Sequence, residues 1–344
     1  MFYNIYPMRN KKILLFTITF ICCLILLTGC KQASDLPSVS DTDQRISIVC
    51  TTFPQYDWIR NILGGESDAF RLTLLLDTGV DSHSYQPSAR DIALISSADI
   101  FIYTGGESDQ WVEDILKEPF NPDIQAVSLL AALGDAAREE EMIEGMQERW
   151  HYGEEEEEYD EHVWLSLRNA AFYVRFLSGI ISGLDGAHAA LYTENANNYI
   201  ALLNDLDLQY EQAVSAAKSD ILLFGDRFPF RYLTEDYGLR YYAAFPGCSA
   251  ETEAGFDTVT FLSGKLDELH LKTILVIEHS DTRIAETIRQ NTASRNQNIL
   301  ELNSIQSVTK TDLESGFTYL GAMRDNLEIL KQALDQEEQE ASAH

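Results

Sequence analysis

Ile46-Ser47-Ile48-Val49-Cys50-Thr51-Thr52-Phe53-Pro54 is a β-rich run closed by a proline turn, and Gln55 to Leu63 follow it with Tyr56, Ile59, Ile62 and Leu63 at helical spacing. The stretch reads strand, turn, helix. The same grammar returns downstream, with strands over Arg71–Leu76 and Ile100–Tyr103 and helices over Ser88–Ala98 and Trp111–Leu116. A second series has strands over Ile221–Phe224, Leu239–Phe245, Thr273–Glu278 and Asn298–Leu302, and a helix from about Ser315 to Leu334. Alternation of this kind predicts an α/β fold of two lobes, each a mainly parallel sheet flanked by helices. Between the series lie the proline-free helical segments Asn169–Leu184 and Thr193–Lys218; Tyr199, Leu202, Leu203, Leu206 and Tyr210 form one stripe on the second. They predict a long rigid helix joining the lobes. The expected division is 46–185 for the first lobe, 186–218 for the linking helix and 219–336 for the second lobe, with a disordered tail over 337–344. In such sheets ligands bind beyond the carboxyl ends of the strands, so the loops after strands are the places to look.

The chain has 344 residues, 45% of them hydrophobic, enough to bury a sizeable core. Its 25 basic and 55 acidic side chains give a formal charge of −30, which repels nucleic acid and anionic lipid and favours cationic partners. Residues 135–161 concentrate the acid, with five consecutive glutamates, Glu154 to Glu158, following Trp150 and His151. This is either a solvated surface insertion or a low-affinity collector of cations, since crowded carboxylates repel one another until a divalent ion relieves them.

The first 29 residues carry an address. Arg9-Asn10-Lys11-Lys12 precedes an apolar run from Ile13 to Leu27, which ends in Leu27-Thr28-Gly29-Cys30. The ending resembles the bacterial lipobox, in which the cysteine is acylated and becomes the first mature residue. An apolar run of about 15 residues falls short of the roughly 20 that a spanning helix needs. The expectation is a signal peptide over 1–29, lipidation of Cys30, a flexible tether over 30–45 and an extracytoplasmic body anchored to the cell membrane. Cys22, Cys23 and Cys30 belong to this segment, leaving Cys50 and Cys248 for the body, too few for a disulfide scaffold. In an oxidising compartment these two are candidates for a bridge pinning one lobe to the other, or each fills apolar space. Thiolate ligation of a metal is a third role open to them.

Two of the seven histidines stand in informative surroundings. His83 lies in a loop between a predicted strand and a helix that Ser88 can cap, and His162 lies where the acidic stretch rejoins the fold. Their contexts read His83-Ser84-Tyr85-Gln86-Pro87-Ser88-Ala89-Arg90-Asp91 and His162-Val163-Trp164-Leu165-Ser166. At these residues the chain resembles the zinc and manganese solute-binding lipoproteins of bacterial metal ABC importers, which carry His-x-Tyr-x-Pro-x-x-x-Asp and His-x-Trp-Leu-Ser/Asn segments. The likeness continues through Ala98-Asp99, Gly105-Gly106, Trp111 and the stretch from Tyr319 to Leu330, and spans most of 46–335. It implies two α/β lobes bridged by a long helix, a metal held in the cleft by His83 and His162, and delivery to an ABC permease by a monomeric receptor.

The second half of the site departs from the family pattern. A gapless register puts Arg227 where a third histidine or glutamate ligand belongs, and a guanidinium cannot ligate a cation. Asp226, one residue earlier, supplies oxygen if the loop is bulged. A fourth family ligand is an aspartate after the last strand, where Leu302-Asn303-Ser304-Ile305-Gln306-Ser307 has no carboxylate. Glu278 and His279 end the strand before it and are further candidates, the glutamate usually being a structural carboxylate in the family. Two imidazoles and one carboxylate suit tetrahedral zinc, whereas more oxygen donors would favour manganese or iron. A zinc hydrolase is the rival from another class, but no His-Glu-x-x-His motif is present, so no enzyme is expected. A metal-free adhesin or sensor on the same fold is the second rival, motivated by Arg227.

Overall fold

The computed structural model describes residues 44–65, 67–146, 158–248 and 253–335. The signal peptide, Cys30, nearly all of the tether, Trp150, His151 and Glu154 to Glu157 of the glutamate run, and the tail over 337–344 lie outside the described residues.

The opening stretch folds as read. Strand β1 (Ile46–Cys50) runs into helix α1 (Phe53–Leu63), which begins with Pro54 in its first turn and ends on Gly64 in the left-handed conformation. Strand β2 (Phe70–Leu74), helix α2 (Ala89–Ser96), strand β3 (Ile100–Tyr103), helix α3 (Trp111–Leu116), strand β4 (Gln125–Ser128) and helix α4 (Leu129–Leu133) complete the first lobe. Ser88 caps α2 as expected, and Asp91 returns the bond to the Ser88 N–H, so the last residue of the His83 motif fixes where that loop ends. The sheet order is β2-β1-β3-β4, all parallel.

Two helices follow. Helix α5 (Leu167–Leu184) turns over residues 185–188 into α6 (Ala189–Ala216), which at 28 residues is about 42 Å long. The pair is antiparallel, since Ser178 Oγ bonds the Tyr192 carbonyl while Arg168 reaches back to Asp207 and Glu211.

The second lobe holds β5 (Ile221–Phe228), α7 (Arg231–Tyr237), β6 (Arg240–Pro246), α8 (Phe256–Glu268), β7 (Thr273–Val276), α9 (Arg283–Asn291), β8 (Asn298–Glu301), α10 (Lys310–Glu314) and α11 (Tyr319–Leu334). Its sheet order, β6-β5-β7-β8, is again all parallel. In both sheets consecutive crossovers leave the first strand in opposite directions, so a crevice opens at the carboxyl ends of β1 and β3 and of β5 and β7.

Alternation along the strands explains the layering. Ile48 and Cys50 face one apolar core that runs without a break through Trp58 of α1, Tyr173 of α5 and Leu203 of α6 to Phe224 of β5 and Leu327 of α11. Val49 and Phe101 face a smaller cluster on the outside of the first sheet, and Leu223 and Ile274 do the same for the second. At the centre Trp58 stacks on Tyr173 and meets Tyr319 edge-on, with ring centroids 5.5 and 5.4 Å apart. The two sheets therefore share their inner core.

The described ends of the acidic stretch do not hang in solvent. Arg138 pairs with Glu235, Glu141 pairs with Arg231, and Met146 is buried. Residues 138–146 are tied to the second lobe.

Candidate metal centre

His83, Cys248 and Gln306 stand on loops after strands, and His162 stands on the segment that leads into α5. The loop after β2 turns at Gly79 and carries Asp81, whose carboxylate accepts the His83 N–H at 2.9 Å and so sets the single helical turn on which the imidazole rides. His162 enters from the returning end of the acidic stretch, its N–H bonded to Asp160 Oδ1 at 2.8 Å. Behind it Trp164 donates its indole N–H to the Ser304 carbonyl at 2.8 Å, and Tyr319 donates its hydroxyl to the Trp164 carbonyl at 2.6 Å. These bonds join the His162 segment to the second lobe.

The two imidazoles meet. His83 Nε2 lies 3.1 Å from His162 Nε2, and Gln306 Oε1 lies 3.2 Å from His162 Nε2. The opposite edge of each ring is held. His162 Nδ1 is 3.0 Å from Asp160 Oδ1, and His83 Nδ1 is 2.7 Å from Ser108 Oγ with Glu161 Oε2 behind it at 3.5 Å. Ser108 also gives its hydroxyl to Glu161, which leaves an oxygen lone pair to receive the Nδ1 proton of His83. With both protons on Nδ1, both Nε2 lone pairs point at the same spot, and a carbonyl oxygen points there too. Acceptors without a proton between them repel, and a cation removes that conflict. Carboxylate-backed imidazoles of this kind are how proteins orient and strengthen metal ligands.

The electrostatics agree in sign. Burial disfavours charge on His162, but Asp160, Glu161 and Asp81 more than offset it and hold its pKa above the ordinary imidazole value. Burial pushes Glu161 up to about 7, opposed by its bonds from Ser108. Gly106, at φ +85°, lies so close beneath Glu161 that a Cβ there would stand 2.6 Å from its Oε1.

Among the described residues, the donor atoms that lie within 4.8 Å of one another belong to His83, His162 and Cys248. Cys248 reaches this place because Gly247 precedes it. A Cβ on Gly247 would stand 2.8 Å from the Phe228 carbonyl oxygen and 3.2 Å from His162 Cε1. The Cys248 N–H donates to Glu140 Oε1 at 2.7 Å. Cys50 is buried in the shared core and Cys248 sits at the centre, both as free thiols, so the interlobe bridge considered from sequence is not formed.

The remaining candidates stand elsewhere. β5 is irregular between Phe224 and Arg227, as the bulge argument required, yet the Asp226 carboxylate takes the Arg227 and Ile277 N–H groups and is not among the clustered donors. Glu278 Oε1 accepts from Ser304 Oγ and from the N–H groups of Gln306 and Ser307, and Oε2 accepts from the Ser304 N–H. It shapes the loop that presents Gln306. His279 places Nε2 3.1 Å from the Ser307 carbonyl. Arg227 bonds Asp81 at 2.5 Å, pinning the His83 loop to the second lobe instead of offering a donor. Burial raises and Arg227 with His83 lowers the Asp81 pKa, the net result being below the usual carboxylate value. A cleft of about 390 Å³ beside this pair is lined by Ser84, Asp226, Arg227 and Ser307, while the imidazoles themselves are buried.

Gln306 is silent in the sequence because a neutral amide among Asn303, Ser304 and Ser307 carries no charge to mark it as a ligand. The signal that finds it is its place two residues after Ser304, on the loop that Glu278 gathers.

The family model for zinc-uptake complex component A periplasmic (ZnuA) matches residues 48–333. The zinc-binding lipoprotein AdcA of Streptococcus pneumoniae is 29% identical over 320 residues, covering 92% of this chain and 60% of its own, so this chain spans about three-fifths of that relative's length. The high-affinity zinc uptake system protein ZnuA of Bacillus subtilis is 26% identical over 317 residues, 91% of this chain and 95% of its own. The crystal structure of the zinc-bound ZnuA-like domain of S. pneumoniae AdcA superposes with a TM-score of 0.66 at 27% identity, covering 85% of this chain and 100% of that domain. A match over 48–333, two parallel α/β sheets and converging imidazoles agree, and the chain belongs to the ZnuA family of zinc-uptake components.

Proposed function

We propose that this chain is an extracytoplasmic receptor that captures one zinc ion between His83 and His162 and hands it to an ABC permease. The observation that carries this reading is the 3.1 Å approach of two Nε2 atoms whose Nδ1 edges are both held. Two donors bonded to one tetrahedral zinc at about 2.0–2.1 Å stand about 3.3 Å apart, so the pair needs little adjustment. Zinc is the cargo, held by coordination and released without a change of oxidation state. A receptor requires only that the permease distinguish the loaded form from the empty one. Lipidation at Cys30 would hold the body at the membrane, and the net acidity suits gathering cations.

Equilibrium dialysis tests the reading. One zinc per chain, lost in His83→Ala and His162→Ala, is the expected result. No stoichiometric uptake of zinc or manganese would point to the metal-free adhesin, and turnover of a peptide or ester would point to a hydrolase.

A further inference from the structure

The sequence puts a guanidinium where the family resemblance expects a third ligand, and the structure shows that guanidinium engaged with Asp81. A zinc held by two imidazoles alone is incompletely bound, since structural zinc sites take four protein donors and even open catalytic ones take three. Cys248 is placed to be that donor. Its sulfur lies within 4.8 Å of a ring nitrogen of each histidine, and its turn is fixed on one side by Glu140 and on the other by the close packing of Gly247 against Phe228 and His162. Gln306 gives a second, independent sign of a ligand. It is 3% exposed, its Nε2 has no hydrogen-bond partner, and its Oε1 points at His162 Nε2.

We propose that Cys248 binds the ion as a thiolate in place of the missing third ligand, with Gln306 Oε1 as the fourth contact. This rests on the zinc-capture reading above. Zinc–sulfur and zinc–nitrogen bonds of about 2.3 and 2.0–2.1 Å set a sulfur–nitrogen separation of about 3.6 Å, so the sulfur closes on the imidazoles by at most about 1.2 Å on loading. On loading, the S–H bond breaks, the zinc–sulfur bond forms and the proton leaves to solvent. A thiolate also favours zinc over manganese, which prefers oxygen donors, so the substitution narrows the cargo.

The test uses cobalt(II) as a spectroscopic stand-in for zinc on the full chain, with Cys248→Ser and Cys248→His variants. The expected result is an intense near-ultraviolet sulfur-to-cobalt charge-transfer band in the wild type. Cys248→Ser loses the band and binds zinc about 100-fold more weakly, at least the upper end of what loss of an outer partner costs. Cys248→His recovers zinc binding without the band, which shows that the fold at the site survives substitution. Stoichiometric cobalt without the band, or a band that persists in Cys248→Ser, overturns the thiolate and leaves the receptor standing. A wild type that binds neither metal overturns both.

Discussion

Replacing Asp160 by Asn tests whether the imidazoles are tuned for a metal. Asp160 is 2% exposed, and its Oδ1 accepts both the His162 N–H at 2.8 Å and the Nδ1 proton at 3.0 Å. An asparagine oxygen keeps both bonds and the ring's orientation but removes the charge that makes Nε2 a stronger base. Outer partners of metal-bound histidines are worth 10–100-fold in affinity, and the preserved geometry puts Asp160→Asn at the lower end, about tenfold or ~1.4 kcal/mol at pH 7.5. Asp160→Ala loses orientation as well and belongs near 100-fold, ~2.8 kcal/mol. Competition against a chromophoric zinc chelator reads these differences, with thermal melts of the metal-free proteins confirming folding. Acidification adds a sign. Burial alone would lower the His162 pKa, and Asp160 is the leading cause that raises it, so protons compete with zinc at a higher pH in the wild type than in Asp160→Asn. The affinity gap should therefore narrow as pH falls. An affinity within twofold of wild type at pH 7.5, or a gap that widens on acidification, refutes the tuning.

Three further outcomes follow from the same structure. Glu278→Gln puts an amide NH₂ against loop donors that a carboxylate now accepts, costing ~1–3 kcal/mol in denaturant midpoint analysis and weakening zinc binding through Gln306. Asp109 is pushed up to about 6 by burial, against the bonds it accepts from Gly105 and Thr104. Its ionisation costs the folded state stability as pH rises from about 4 to 6, so Asp109→Asn should gain on the order of 2–3 kcal/mol at pH 7.5 and almost nothing at pH 4, as urea melts at the two pH values will show. Because one apolar core runs through both sheets, zinc should leave the small-angle scattering profile nearly unchanged; a large fall in the radius of gyration would contradict that continuity.

The strand-turn-helix stretch at Ile46–Leu63 and the helix start after His83 were legible because local chemistry sets them, a proline turn and a Ser88–Asp91 cap, whereas His83 and His162 stand out as ligands through the family resemblance of their segments. What escaped depends on the third dimension. Gln125–Ser128 forms an edge strand with two exposed residues, so its polar sequence carries no strand signal. Asp226 does fall on an irregular strand, yet whether its carboxylate faces the imidazoles or the Ile277 N–H cannot be read along a chain. Along the chain Cys248 has three roles open to it, half of a bridge to Cys50, an apolar filler or a metal ligand, since Cys50 ends a strand and Cys248 follows one. Only the packing shows one inside the core and the other beside His162. The acidic stretch reads along the chain as a solvated insertion or a collector of cations, neither of which predicts that its described ends dock through Arg231, Glu235 and Met146.

The most direct measurement is a zinc-soaked crystal with diffraction recorded on both sides of the zinc absorption edge. A single anomalous peak about 2.0–2.1 Å from both His83 Nε2 and His162 Nε2 is the predicted result. A peak held by other side chains, with those two rings turned away from it, would contradict the account.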